Sequence, residues 1–103
     1  MTDETREALE GSIAKWQAIV DGTGENQGPQ NCPLCWMFRD DECRGCPVRE
    51  RSGRHYCYGT PYTNFEDLDI AALECQDDDV RKVLLVQRGV AAQAELDFLK
   101  SLL

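Results

Sequence analysis

The sequence predicts a mainly α-helical, small single domain of about three helices, built around an irregular cysteine block with a short hairpin near Tyr56 to Tyr58. Three observations predict it. Apolar residues recur at helical spacing at both ends of the chain. Five of the six cysteines crowd into the middle. The chain has 103 residues, which is one domain's length and short enough that its core needs reinforcement. Residues 1–21 form the N-terminal helix, 31–62 the cysteine block and 64–103 the C-terminal helices.

The N-terminal helix is expected from about Asp3 to Val20. Thr2 or Asp3 caps it, and Glu4 and Glu7 suit the positive end of its dipole. Leu9, Ile13, Trp16 and Val20 fall on one face. Asp21-Gly22-Thr23-Gly24 ends it, and the polar, glycine-rich stretch to Gln30 is a loop. That loop lacks the Gly-Lys-Ser/Thr ending of a phosphate-binding loop. After Thr60-Pro61-Tyr62, Asn64 is the expected cap of the next helix, with Phe65, Leu68, Ala72 and Cys75 on one face. A single helix from there to Leu103 would run ~60 Å, longer than a small domain is wide. A break is therefore expected near Asp77, with Asp77 capping a second helix to about Ser101. Val80, Leu84, Ala91, Ala94, Phe98 and Leu102 form its stripe, widened by Val83, Leu85 and Val86. A helix apolar on so much of its surface needs partners on two sides, within the fold or in a homo-oligomer.

Charge narrows the function classes. The net charge is −8. Residues 1–26 carry −4, residues 27–63 carry +1 and residues 64–103 carry −5. Nucleic-acid and anionic-membrane binders need surplus positive charge, so the balance weighs against both. No apolar run approaches the ~20 residues that span a bilayer. The acidic start Met1-Thr2-Asp3-Glu4-Thr5 does not read as a signal peptide, which points to the cytoplasm.

The cysteines carry the chemistry. Cys32-Pro33-Leu34-Cys35, Cys43-Arg44-Gly45-Cys46 and Cys57 give the spacing C-x2-C-x7-C-x2-C-x10-C. Two Cys-x-x-Cys turns present four thiolates to one tetrahedral ion, and thiolates select Zn²⁺ well. Pro33 and Gly45 suit such turns. Metal binding supplies folding energy that a small chain lacks. The site is thus a zinc-knuckle-like centre using four of Cys32, Cys35, Cys43, Cys46 and Cys57. Both pairs serve together, or one of Cys43 and Cys46 joins Cys32, Cys35 and Cys57. His55 is a possible substitute for Cys57, although its plain reading is a surface imidazole. Four thiolates also satisfy an iron–sulfur cluster. A disulfide framework needs an oxidising compartment, and a thioredoxin-like dithiol needs a βαβ context that is not visible here. Cys75, beside Ala71 and Ala72, reads as a small buried apolar residue.

Arg39, Arg44, Arg49, Arg51 and Arg54 lie among Trp36, Phe38, Tyr56, Tyr58 and Tyr62. Such interleaving can bind single-stranded nucleic acid. It equally balances the charge of zinc thiolates and acidic flanks. Asp77-Asp78-Asp79 reads as a helix start rather than a carboxylate metal site. No catalytic constellation stands out. One histidine excludes the two-histidine zinc protease motif, no Gly-x-Ser-x-Gly elbow is present, and a closed four-thiolate site has no open position. The expectation is therefore no enzyme.

The run Cys32-Pro-Leu-Cys35, Cys43-Arg-Gly-Cys46-Pro47, Ser52-Gly53, Cys57 and Thr60-Pro61-Tyr62 resembles a pattern in small, uncharacterised cysteine-rich proteins of bacteriophages and some bacteria. The resemblance extends from Trp16 to the terminal helix ending Ser101-Leu102-Leu103. It implies that all five cysteines from Cys32 to Cys57 belong to one pattern. The fifth is then a structural thiol or a ligand in a site of other stoichiometry. It also implies a phage-type origin and carries no mechanism.

The combined expectation is a zinc-stapled protein–protein interaction module, a phage-encoded accessory or host-modulating protein of inhibitor type that binds a host or phage protein by occlusion. Trp36, Phe38, Arg44, Arg49, Arg51 and Arg54 are its candidate contact residues, because interfaces favour aromatic and arginine anchors. The alternatives are a nucleic-acid-associated zinc module acting through those arginines and an iron–sulfur or redox protein.

Overall fold

A computed structural model describes residues 1–54 and 57–103. Its five helices are α1 (Asp3–Val20), α2 (Pro33–Met37), α3 (Pro47–Ser52), α4 (Pro61–Glu74) and α5 (Asp78–Lys100), with 3-10 turns at Gly28–Asn31 and Arg39–Asp41. The predicted helical class holds, and no strand occurs among the described residues. Two of the helices lie inside the cysteine block, where the sequence reading expected irregular chain. The hairpin expected near Tyr56 to Tyr58 falls partly outside the described residues, and Tyr58 sits in a turn.

Thr2 begins α1 as its N-cap. Its Oγ1 accepts the Thr5 N–H at 3.0 Å, and Asp3 and Glu4 occupy the positive end of the dipole. The buried face is Thr5, Leu9, Ser12 and Trp16. This is the predicted stripe turned by a fraction of a turn, so that Ile13 and Val20 lie only partly buried and Ser12 points inward. Gly11 lets α2 approach α1 closely. A Cβ there would stand 2.8 Å from Pro33 Cγ.

The expected cap of α4 is corrected. The helix starts three residues before Asn64, with Thr60 as N-cap and Pro61 in the first turn. Proline presets φ there and lacks only an N–H that would have no helical partner. Asn64 is simply exposed in that turn. The break near Asp77 is where it was expected. Asp77 caps α5 by accepting the N–H groups of Asp79 and Val80 at 2.9 and 3.1 Å. Cys75 is not a buried apolar residue. It is the partly exposed C-cap of α4, with its thiol donating to the Asp77 carbonyl at 3.3 Å.

With only three residues between them, α4 and α5 pack as an antiparallel hairpin, and α1 lies against α5. The core is Leu9, Trp16, Phe65, Ala91, Ala92, Leu96 and Leu99, joined by Leu34, Cys46 and Val48 from the cysteine block. Trp16 meets Phe65 edge-on at 4.9 Å and Tyr62 at 5.8 Å, the geometry that the ring quadrupoles favour. The stripe predicted on α5 divides. Ala91 and Leu102 are buried and Leu84 and Phe98 half-buried, but Val80 and Ala94 face outward, as do Val83 and Val86. The inner face instead admits polar residues. Arg88 reaches Asp69 at 2.6 Å, Arg81 reaches the carbonyl of Ala72 at 3.3 Å and that of Cys75, and Glu95 is buried. One side of α5 is thus built into the fold and the other carries a bare valine row. No helix is long and apolar enough to cross a membrane among the described residues.

Candidate metal centre

All five cysteines of the predicted set line one cavity of about 300 Å³. Three parts of the fold bring them there. Cys32 and Cys35 bracket the start of α2, Cys46 is the N-cap of α3, and Cys57 precedes the N-terminus of α4. The Cys32-Pro33 and Cys46-Pro47 pairs share one design. Each cysteine occupies the cap position and each proline starts the helix. Each sulfur therefore lies near the positive end of a short helix, where a thiolate is favoured. The Cys43–Cys46 turn closes through the Cys46 N–H donating to the Cys43 carbonyl at 3.0 Å. It demands left-handed backbone at Glu42 (φ 53°), Cys43 (φ 66°) and Gly45 (φ 87°). Only glycine is at ease in the last of these, and a Cβ there would stand 3.2 Å from the Phe38 ring.

The first cysteine pair is tied to α1 through Ser12, which is fully buried. The helix α2 has no capping side chain of its own. Ser12 supplies one from another helix, its Oγ accepting the Leu34 N–H at 3.2 Å. The same Oγ lies 3.2 Å from Cys32 Sγ, so its proton is free to be given to that sulfur. Cys57 is tied to α4. Its backbone is left-handed (φ 63°), and its carbonyl accepts the Thr60 hydroxyl at 2.6 Å and the Thr63 hydroxyl at 3.3 Å. The Thr60-Pro61-Tyr62 run thereby acquires a physical role. It caps α4, clamps Cys57, and places the Tyr62 ring on Trp16 with its hydroxyl accepting from Asn26 Nδ2 at 3.3 Å.

The sulfurs influence one another's titration. A hydrogen bond with Cys35, reinforced by burial, pushes the Cys32 thiol well above its ordinary pKa, while Ser12 opposes this. The hydrogen bond with Cys32 lowers the Cys35 thiol, but contact with Cys57 and burial outweigh it and push the group up to about 12. Burial raises Cys46 against the pull of the Val48 and Arg49 backbone N–H groups. In this form Cys32, Cys35 and Cys46 hold their protons at neutral pH, and a cation binding them would have to displace those protons. Among the described residues no three His, Cys, Asp or Glu side chains already stand together as they would around an ion. His55, the possible substitute ligand, lies outside the described residues.

Two further residues complete the cavity, and the sequence reading missed both. Lys15 lines the wall, held by Asn26 Oδ1 at 2.8 Å and the Gly28 carbonyl at 3.2 Å. Burial pulls its pKa down, and Cys32, Cys35, Cys57 and Glu95 pull it back up. Glu95 of α5 is 2% exposed, and its Oε2 is buried with no hydrogen-bond partner. Burial pushes this carboxyl up to about 8, although the Tyr62 N–H and Lys15 both favour its charged form. A signal for Glu95 was present in the sequence. It sits among Ala91, Ala92, Leu96 and Leu99 at helical spacing, an acid on an otherwise apolar face.

The candidate contact residues separate. Trp36, directly after Cys35, is 56% exposed, and the Arg39 guanidinium stacks over it at 4.0 Å. Phe38 is not a free anchor. It is partly buried against the core and over Gly45. Arg49 donates to the Glu42 carbonyl at 2.6 Å, so it braces the cysteine loop. Arg44, Arg51 and Arg54 are exposed. Comparison with protein-family models, with curated proteins and with solved structures finds no match for this chain.

Proposed function

We propose that this chain is a zinc-stapled protein–protein interaction module of phage type, whose partner is a host or phage protein. The single observation that carries it is the Trp36–Arg39 stack. A large aromatic side chain stands exposed under an arginine, on a five-residue helix that carries Cys35. Aromatic and arginine side chains are the commonest interface anchors. A helix this short does not hold itself in water. Ser12 ties it to α1, and Zn²⁺ on four of the five cysteines would tie it to the Cys43–Cys46 turn leading into α3, so Trp36 is presented preorganised and little ordering cost is left for association. Met37, also exposed, extends the patch. The valine row on the outer side of α5 is a second apolar surface and suits self-association.

The test places a photo-crosslinking side chain at Met37 of the full chain, in the cells from which partners are sought. We expect one recurrent adduct, lost in Trp36→Ala and lost when the metal is chelated. No adduct, or adducts indifferent to Trp36→Ala, overturns the assignment. Elemental analysis of anaerobically purified protein tests the staple itself. Zinc is expected, and iron with acid-labile sulfide would replace it by a cluster.

A further inference from the structure

We propose that the cysteine cavity holds two ions, the second bound by Cys57 and Glu95 together with sulfurs shared from the first pair. The inference rests on the metal-stapled reading and adds a site to it. A single tetrahedral ion takes four ligands. The two Cys-x-x-Cys pairs satisfy it, and that would leave a fifth thiol and a buried carboxylate oxygen facing the same cavity unused. Leaving a carboxyl oxygen buried without a partner is costly. Neighbouring positions on that face are Ala91, Ala92, Leu96 and Leu99.

Ligand arithmetic closes on two ions. Two tetrahedral ions need eight bonds. Five thiolates and one carboxylate supply them when two sulfurs bridge, as in the two-zinc cysteine clusters of some DNA-binding modules. The bridges are assigned to Cys32 and Cys35, the pair at the start of α2, which line the cavity together with the other three cysteines and Glu95. One ion then takes Cys32, Cys35, Cys43 and Cys46. The other takes Cys32, Cys35, Cys57 and Glu95. Cys57 is held at the start of α4 by Thr60 and Thr63, and Glu95 reaches the cavity from α5. The cavity, about 300 Å³, has room for ions roughly 3.5 Å apart.

Two Zn²⁺ displace the protons of five thiols and one carboxylic acid, which leaves the cluster at −2. On the cavity wall Lys15 and Arg39 bring +2 and Glu66 brings −1, so the wall offsets half of that charge.

The test is metal stoichiometry by elemental analysis on the full chain, stripped of metal, reduced and reloaded with Zn²⁺ under anaerobic conditions. Two zinc per chain are expected in the parent. One is expected in Glu95→Gln and in Cys57→Ser, with helicity retained. Reloading with Co²⁺ adds a second readout. Sulfur-bridged ions couple magnetically, so the parent's cobalt spin signal should collapse as the second equivalent binds, and Glu95→Gln should keep a full signal from one ion. One zinc in parent and variants alike overturns the second site and leaves the single-ion staple standing. Two zinc retained in both variants overturns the roles given to Glu95 and Cys57. No zinc in the parent overturns the staple and the second site with it.

Discussion

Replacing Ser12 by alanine isolates the joint between α1 and the cysteine block. Ser12 has no exposed surface, and its Oγ accepts the Leu34 N–H. Alanine fills nearly the same space, so packing is preserved and one hydrogen bond is removed. The Leu34 N–H belongs to the first turn of α2, has no partner within that helix and would be left buried and orphaned. An unsatisfied buried donor costs about 1–3 kcal/mol. Loss of a cap, judged separately, costs about 0.5–2 kcal/mol. The two describe the same bond from two sides and agree on about 2 kcal/mol. Against a total of roughly 5–15 kcal/mol for a domain of this size, that is a large fraction. Urea unfolding of parent and variant matched in metal content, followed by far-ultraviolet circular dichroism, measures it. Glu10→Ala on the exposed face of α1 is the control, expected within ~0.5 kcal/mol of the parent. On the loaded protein, Ser12→Ala also removes the hydroxyl that faces Cys32 Sγ, and groups supporting a ligand in this way are worth roughly 10–100-fold in metal affinity. A denaturation midpoint equal to the parent's would mean that the Leu34 N–H finds another partner. The account of how α2 is held would then be wrong.

Asp77→Ala should lower stability by about 1 kcal/mol in the same unfolding assay, because two backbone N–H groups of α5 lose their acceptor. In the metal-free chain, burial raises the pKa of Glu95 from 4.5 to about 8, so between these values the folded state keeps a proton that the unfolded chain releases. Stability contributed by this proton is present in full below 4.5 and is lost as pH rises toward 8. Glu95→Gln should therefore flatten that decline, and stability curves of parent and variant that run parallel across the window would contradict the burial of this carboxyl.

Local chemistry made much of the fold legible. Thr2, Asp77 and the glycines after Val20 each act within a turn of themselves, so the ends of α1 and the start of α5 follow from the residues present. The start of α4 was misplaced because its proline is a stronger signal than the asparagine three residues later, and because Thr60 looks like part of a loop until Cys57 is beside it. Spacing marked the two Cys-x-x-Cys pairs and left Cys57 as an alternative ligand, the resemblance placed all five in one pattern, and one cavity does collect them. What spacing does not carry is the orientation of one helix against another. Turning α1 slightly moves Ser12 from the margin to the interior. Turning α5 puts Val80 and Ala94 outside and Glu95 inside. The two helices inside the cysteine block were illegible for another reason. At five and six residues they are too short for periodicity to register, and their stability comes from what they are tied to.

The buried polar residues of this chain are Thr5, Ser12, Thr60 and Glu95 among those described. Thr5 serves the cap of α1. The other three sit by the cysteines: Ser12 at Cys32, Thr60 at Cys57, and Glu95 on the wall of the cavity they line. A core of this size gains nothing from such groups as packing, since apolar residues of equal volume avoid the cost of desolvation. Departures from an apolar interior concentrate where a protein has another use for them. Ser12 and Thr60 are satisfied by backbone and thereby position a sulfur, whereas one oxygen of Glu95 is satisfied by nothing in the chain. The ligand role proposed above would give that oxygen a partner and would place all three polar residues in the service of the cysteines.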